Sequence, residues 1–202
     1  CCGAPVEMPW LDKTRTVLCP HLSGQAQGGA MVRLLYGQAN PAGKLAETWP
    51  LALSDTPAYK HYPMGPNEVT YNEGIFVGYR YYDTAQKPVQ FPFGFGLSYT
   101  HYAYTGLTLS DDTLGEGKSL TASLTVKNTG QRDGEEIVQL YLSRGDSATY
   151  QADKELVAFR RVPLAAGEEK TLRFEIAHEG LAYYVPAFGK AVVEKGGYSL
   201  LA

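Results

Sequence analysis

The side chains able to do chemistry are scattered along the chain. Carboxylates come first, because a well-spaced pair can pass protons or attack an electrophilic carbon. Glu73, in "YNEGIF", stands among aromatic residues and beside Gly74, surroundings that suit a raised carboxyl pKa. Arg80 lies close in sequence, so an ion pair with it, or a turn cap, is the expected role of Glu73. Glu7 in "PVEMPW" and Glu47 in "LAETWP" are expected to be solvated or bonded to neighbouring backbone. Asp133, Glu135 and Glu136 crowd "RDGEE", but their spacing is not that of a calcium loop and predicts a hairpin turn. His21, His61, His101 and His178 show no metal-ligand spacing. Cys1, Cys2 and Cys19 form neither a disulfide framework nor a CxxC pair, and Cys19 is expected as a small core residue. Gly24, Gly28 and Gly29 follow a helical pattern rather than a strand, which speaks against a dinucleotide loop. There is no nucleophile elbow, phosphate loop or haem motif. No catalytic, cofactor-binding or metal residue is therefore assigned, and no cofactor is expected.

Composition narrows the classes further. The 202 residues are 44% apolar and 19% charged, a globular balance. A net charge of −3 provides no basic footprint, so neither nucleic acid nor an anionic membrane is an expected partner. No run of 18 apolar residues and no signal peptide is present, and the chain opens on "CCGAPVEMPW" without Met. It reads as a piece of a longer protein. Reduced thiols would fit a cytoplasmic setting. The 15 tyrosines suit half-buried strands.

Elements must position these groups. Residues 9–37 read as helical: Trp10, Leu11, Val17 and Leu18 suggest one apolar stripe, Pro20 a break, and Ala26, Ala30, Val32, Leu34 and Leu35 a second helix ended by Gly37. "EGIFVGYRYYD" reads as a strand covered on both faces. From about residue 105 the period becomes two. Strands are expected at 106–110, 119–128, 136–143, 156–163, 170–176, 182–185 and 198–202, with Leu120, Ala122, Leu124 and Val126 pointing inward. So many short strands in about a hundred residues predict an immunoglobulin-like β-sandwich.

Five stretches, "GAPVEMPW", "GQAQGGAMVRLLYGQANPAGKLAETWP", "YNEGIFVGYRYYD", "FPFGFGLSYT" and "VKNTGQRDGEEIVQLYL", resemble in order the C-terminal part of glycoside hydrolase family 3 β-glucosidases. The later "KELVAFRRVPLAAGEEKTLRFEI" fits the same family's last module. The resemblance implies a mainly β chain: a remnant of an α/β sandwich domain over 1–54, a connector over 55–104, and a fibronectin type III-like β-sandwich over 105–202. It implies a retaining hydrolase whose nucleophile, an Asp on a barrel domain, and acid/base, a Glu upstream of "GAPVEMPW", both lie outside this chain. Its partners would be those missing N-terminal domains, with a β-glucoside or oligosaccharide as substrate. The apolar face left uncovered would await those domains or drive homo-oligomer formation. His61 and Tyr62 would then lie in a surface loop or at the rim of a sugar site. A second reading is a non-catalytic module that binds carbohydrate or protein, presenting Tyr141, Tyr150, Tyr183 and Tyr184 as an exposed row. The three Phe of "FPFGFGLSYT" alternate in what reads as an extended segment, and are expected to fill one groove as a buried structural joint.

Overall fold

Alternation of apolar and polar residues, clearest over Ser119–Asn128 and Glu169–Ala177, leaves those strands one face to bury. The computed structural model describes residues 2–62 and 67–202. Contacts divide the chain into Cys1–Leu97 and Ser98–Ala202. No helix among the described residues is long and apolar enough to cross a membrane.

The first unit carries α1 (Gln27–Leu35), β1 (Trp49–Pro50), α2 (Tyr79–Thr84) and β2 (Val89–Phe91), with β1 antiparallel to β2. Two sequence expectations are corrected here. The stretch before α1 holds a single short 3-10 turn, Leu11–Lys13, and is otherwise irregular. Pro9, Pro20 and the β-branched run Thr14, Thr16, Val17 oppose a helix there. The tyrosine-rich stretch is helical from Tyr79, not a strand. Gly74 and Gly78 adopt φ +57° and +56°, which interrupts extended pairing just before the helix begins.

The second unit is built from β3 (Tyr102–Leu109), β4 (Ser119–Asn128), β5 (Gly134–Arg144), β6 (Glu155–Leu164), β7 (Glu169–Ala177), β8 (Tyr183–Val185), β9 (Lys190–Val192) and β10 (Tyr198–Leu201). Three-stranded sheets of order β3-β4-β7 and β10-β5-β6 are antiparallel throughout, and β8 pairs with β9. Ala122, Leu124 and Val126 from one sheet meet Val138, Leu140 and Leu142 from the other in a continuous core. Leu140, Val126 and Val138 are fully buried, each contributing roughly 1.5–3 kcal/mol before ordering costs. The architecture is the expected fibronectin type III-like β-sandwich, mainly β and antiparallel. β9 is the strand that alternation did not reveal.

"FPFGFGLSYT" folds back on itself instead of running straight. Phe95 N–H donates to the Pro92 carbonyl at 3.1 Å, closing a turn in which Gly94 has φ +79°. Phe91 and Phe95 consequently stack at 5.0 Å while Phe93 turns to Tyr79 at 4.8 Å. The rings do not share one groove, and none of them is fully buried. Backbone bonds hold the turn instead. Leu45 N–H donates to the Phe95 carbonyl and Gly94 N–H to the Leu45 carbonyl, both at 2.8 Å, and Lys44 Nζ donates to the Gly96 carbonyl at 2.9 Å. A Cβ on Gly96 would collide with the Gly43 carbonyl oxygen. Gly96→Ala should therefore lower stability by about 1–3 kcal/mol in denaturant unfolding, as overpacking does. Gly43→Ala is the control, since its Cβ meets nothing within 4 Å. Equal effects of the two substitutions would refute the packing argument.

Candidate functional site

The carboxylates singled out in the sequence do not converge. Glu7 Oε1 accepts a bond from Leu53 N–H at 2.6 Å and ties the start of the chain to the segment after β1. Glu47 and Glu73 are half-buried. Asp133 Oδ1 accepts from Ala166 N–H at 2.9 Å, Glu135 pairs with Arg161, and Glu136 Oε1 accepts from the Tyr104 hydroxyl at 2.8 Å. Three neighbouring carboxylates thus serve three different partners. Alternation explains it: Glu136 is 6% exposed on the inward face and Glu135 faces outward. Burial, foremost, and the Glu136 charge push the Tyr104 phenol up, so it stays a proton donor to that carboxylate.

The histidines separate as well. His21 meets Trp49 edge to face at 6.4 Å, and His61 N–H closes a turn on the Ala58 carbonyl at 2.8 Å. Tyr62 is exposed, while residues 63–66, which include the rest of "YKHYPMG", lie outside the described residues. His101 is exposed, and His178 N–H donates to the Lys118 carbonyl at 2.9 Å. No group of three or more His, Cys, Asp or Glu that could hold a metal ion occurs among the described residues. Cys19 is not in a helix. It lies half-exposed in the irregular stretch, with its sulfur 3.7 Å from that of Cys2.

The tyrosines expected as a sugar-facing row divide into two kinds. Tyr150 and Tyr184 are 74% and 63% exposed. Tyr141 and Tyr183 are half-buried, with Lys154 Nζ at 5.6 Å from the first ring and the Arg144 guanidinium at 5.6 Å from the second.

The residue that sequence reasoning missed is Asn128, wholly buried at the end of β4. Its Oδ1 accepts from Thr100 Oγ1 at 2.6 Å and from Gly130 N–H at 3.1 Å. Its Nδ2 donates to the Arg132 carbonyl at 2.7 Å and to the Leu164 carbonyl at 3.2 Å. The side chain is fully satisfied and fixes two turns and the last residue of β6. A signal existed: Asn128 continues the inward parity of Ala122, Leu124 and Val126, where an amide must find partners.

The chain thus joins a first unit of two helices and a two-stranded sheet to a fibronectin type III-like β-sandwich. Residues 1–79 match the glycosyl hydrolase family 3 C-terminal domain, and residues 136–202 match the fibronectin type III-like domain. The chain belongs to glycoside hydrolase family 3 and corresponds to the C-terminal part of its β-glucosidases. It is 45% identical over 199 residues to thermostable β-glucosidase B of Acetivibrio thermocellus, covering 98% of this chain and 26% of that protein. With a β-glucosidase of Rhizobium radiobacter it shares 40% identity, covering 98% of this chain and 25% of the relative. The crystal structure of the Kluyveromyces marxianus β-glucosidase in complex with glucose superposes with TM-score 0.92 at 38% identity, over 98% of this chain and 24% of that one. The chain spans about a quarter of the length of the curated relatives it matches.

Proposed function

We propose that the chain is the C-terminal portion of a retaining β-glucosidase-type hydrolase of terminal β-glycosidic bonds. In this reading it braces catalytic domains that lie outside these 202 residues and supplies neither nucleophile nor acid/base. The observation that carries the reading is the apolar surface of the first unit. Val6, Trp10, Val17, Leu22, Val32 and Leu35 are between 41% and 79% exposed. A free-standing module rarely leaves so many large apolar side chains in water, whereas a layer of a larger α/β domain buries them under its neighbours. The relatives' greater length supports the same reading.

Retention needs two carboxyl groups about 5–5.5 Å apart, one attacking and one trading a proton. Glu7, Asp133, Glu135 and Glu136 are each engaged in a structural bond instead. Purified chain should accordingly turn over an aryl β-glucoside at least about 1000-fold more slowly than a full-length family member. Comparable turnover, abolished by Glu73→Gln, would overturn the proposal and place a catalytic carboxyl within this chain.

A further inference from the structure

Two of the three cysteines, distant in sequence, come together in the first unit. The sulfurs of Cys2 and Cys19 lie 3.7 Å apart, close enough to share a proton. Both thiols are free and both side chains are half-exposed in this chain. The approach is held from both sides. Glu7 anchors the first limb of this loop to Leu53, while His21, just after Cys19, packs edge-on against the buried Trp49. Leu53 and Trp49 belong to one short segment, so both ends of the loop rest on the same support. A disulfide needs sulfurs at about 2.05 Å, a closure of less than about 2 Å from the observed separation.

We infer that Cys2 and Cys19 form an oxidative modification site, which a peroxide converts to a disulfide closing the loop between them. The Cys19 thiolate attacks one oxygen of the peroxide. The O–O bond breaks, hydroxide leaves and takes a proton to become water, and Cys19 becomes a sulfenic acid. The Cys2 sulfur then attacks the Cys19 sulfur, the S–O bond breaks, and a second water leaves with the Cys2 proton. The two thiols are oxidised by two electrons and the peroxide is reduced to two waters. Burial, then the hydrogen bond and charge of Cys19, raise the Cys2 thiol, which suits it to the resolving rather than the attacking role.

Stoichiometric hydrogen peroxide on the reduced chain, followed by trypsin without reductant, tests this. Cleavage after Lys13 and Arg15 separates the two sites, so the expected product is the Cys1–Lys13 peptide joined to the Thr16–Arg33 peptide and released by reductant. Cys1→Ser should keep the cross-link, whereas Cys2→Ser and Cys19→Ser should lose it. In Cys2→Ser, a dimedone adduct should appear on Cys19. The oxidised chain should unfold on the order of 10 °C higher, as expected for closing a loop of this length. A cross-link that survives Cys2→Ser, a bond confined to the first peptide, disulfide-linked dimers, or sulfonic acid at Cys19 in the unmodified chain would each overturn the inference.

Discussion

Asn128→Ala should cost the second unit about 3–5 kcal/mol, more than the loss of most core methyl groups. Four bonds disappear with the amide, and their partners stay behind in a buried site. Each stranded donor or acceptor carries a desolvation penalty of about 1–3 kcal/mol, partly relieved where water can enter. Asn128→Asp is the sharper comparison. It keeps the acceptor for Thr100 and Gly130 but turns a donor into an oxygen facing the Arg132 and Leu164 carbonyls. It should be no milder than the alanine variant at neutral pH, and should recover stability as the medium becomes acidic enough to protonate the carboxyl. Burial and those carbonyls hold the introduced carboxyl high in the folded state, so the missing stability returns as pH falls through that folded-state value and on towards the ordinary carboxylate value of the unfolded chain. Chemical unfolding of the three proteins measures this. A loss below about 1 kcal/mol for Asn128→Ala would mean that the turns hold without the amide.

The second large effect is expected at Trp49. It is 2% exposed, pairs through β1 with Phe91, and touches the rings of His21 at 6.4 Å and Phe91 at 6.2 Å. Trp49→Ala should cost about 3–5 kcal/mol through lost burial and the cavity left behind. Hydrogen exchange should show β2 losing protection while β4 and β5 keep theirs, because the sandwich has its own core. Trp49→Phe should cost much less. The buried Nε1–H meets no acceptor among the described residues, so removing it offsets part of the lost packing. Loss of protection in β4 and β5 equal to that in β2 would contradict this.

What the sequence made legible follows from which forces act locally. β4 was expected at the bounds it has, because alternation over ten residues reports a strand with one wet face. Residues 9–22 misled for the opposite reason. Trp10 and Val17, placed on a helical stripe, are 46% and 41% exposed, so no packing on that stripe enforces the period. The Tyr79–Thr84 helix was hidden by β-favouring tyrosines, and glycine dihedrals at 74 and 78 decided the matter. The meeting of Cys2 with Cys19 depends on a loop path that no period encodes.

The contact division falls between Leu97 and Ser98, inside a single ten-residue motif. Leu97 is 75% exposed, while Thr100, three residues on, is locked onto Asn128. For anyone recombining modules among related enzymes, that peptide bond is the natural splice point. A cut there leaves "FPFGFG" with the turn that Lys44 and Leu45 hold, and leaves "SYT" with the amide that closes the sandwich. A crossover a few residues later would hand each chimera a Thr100 and an Asn128 from different parents, and the hydroxyl–amide bond would be the first thing to fail.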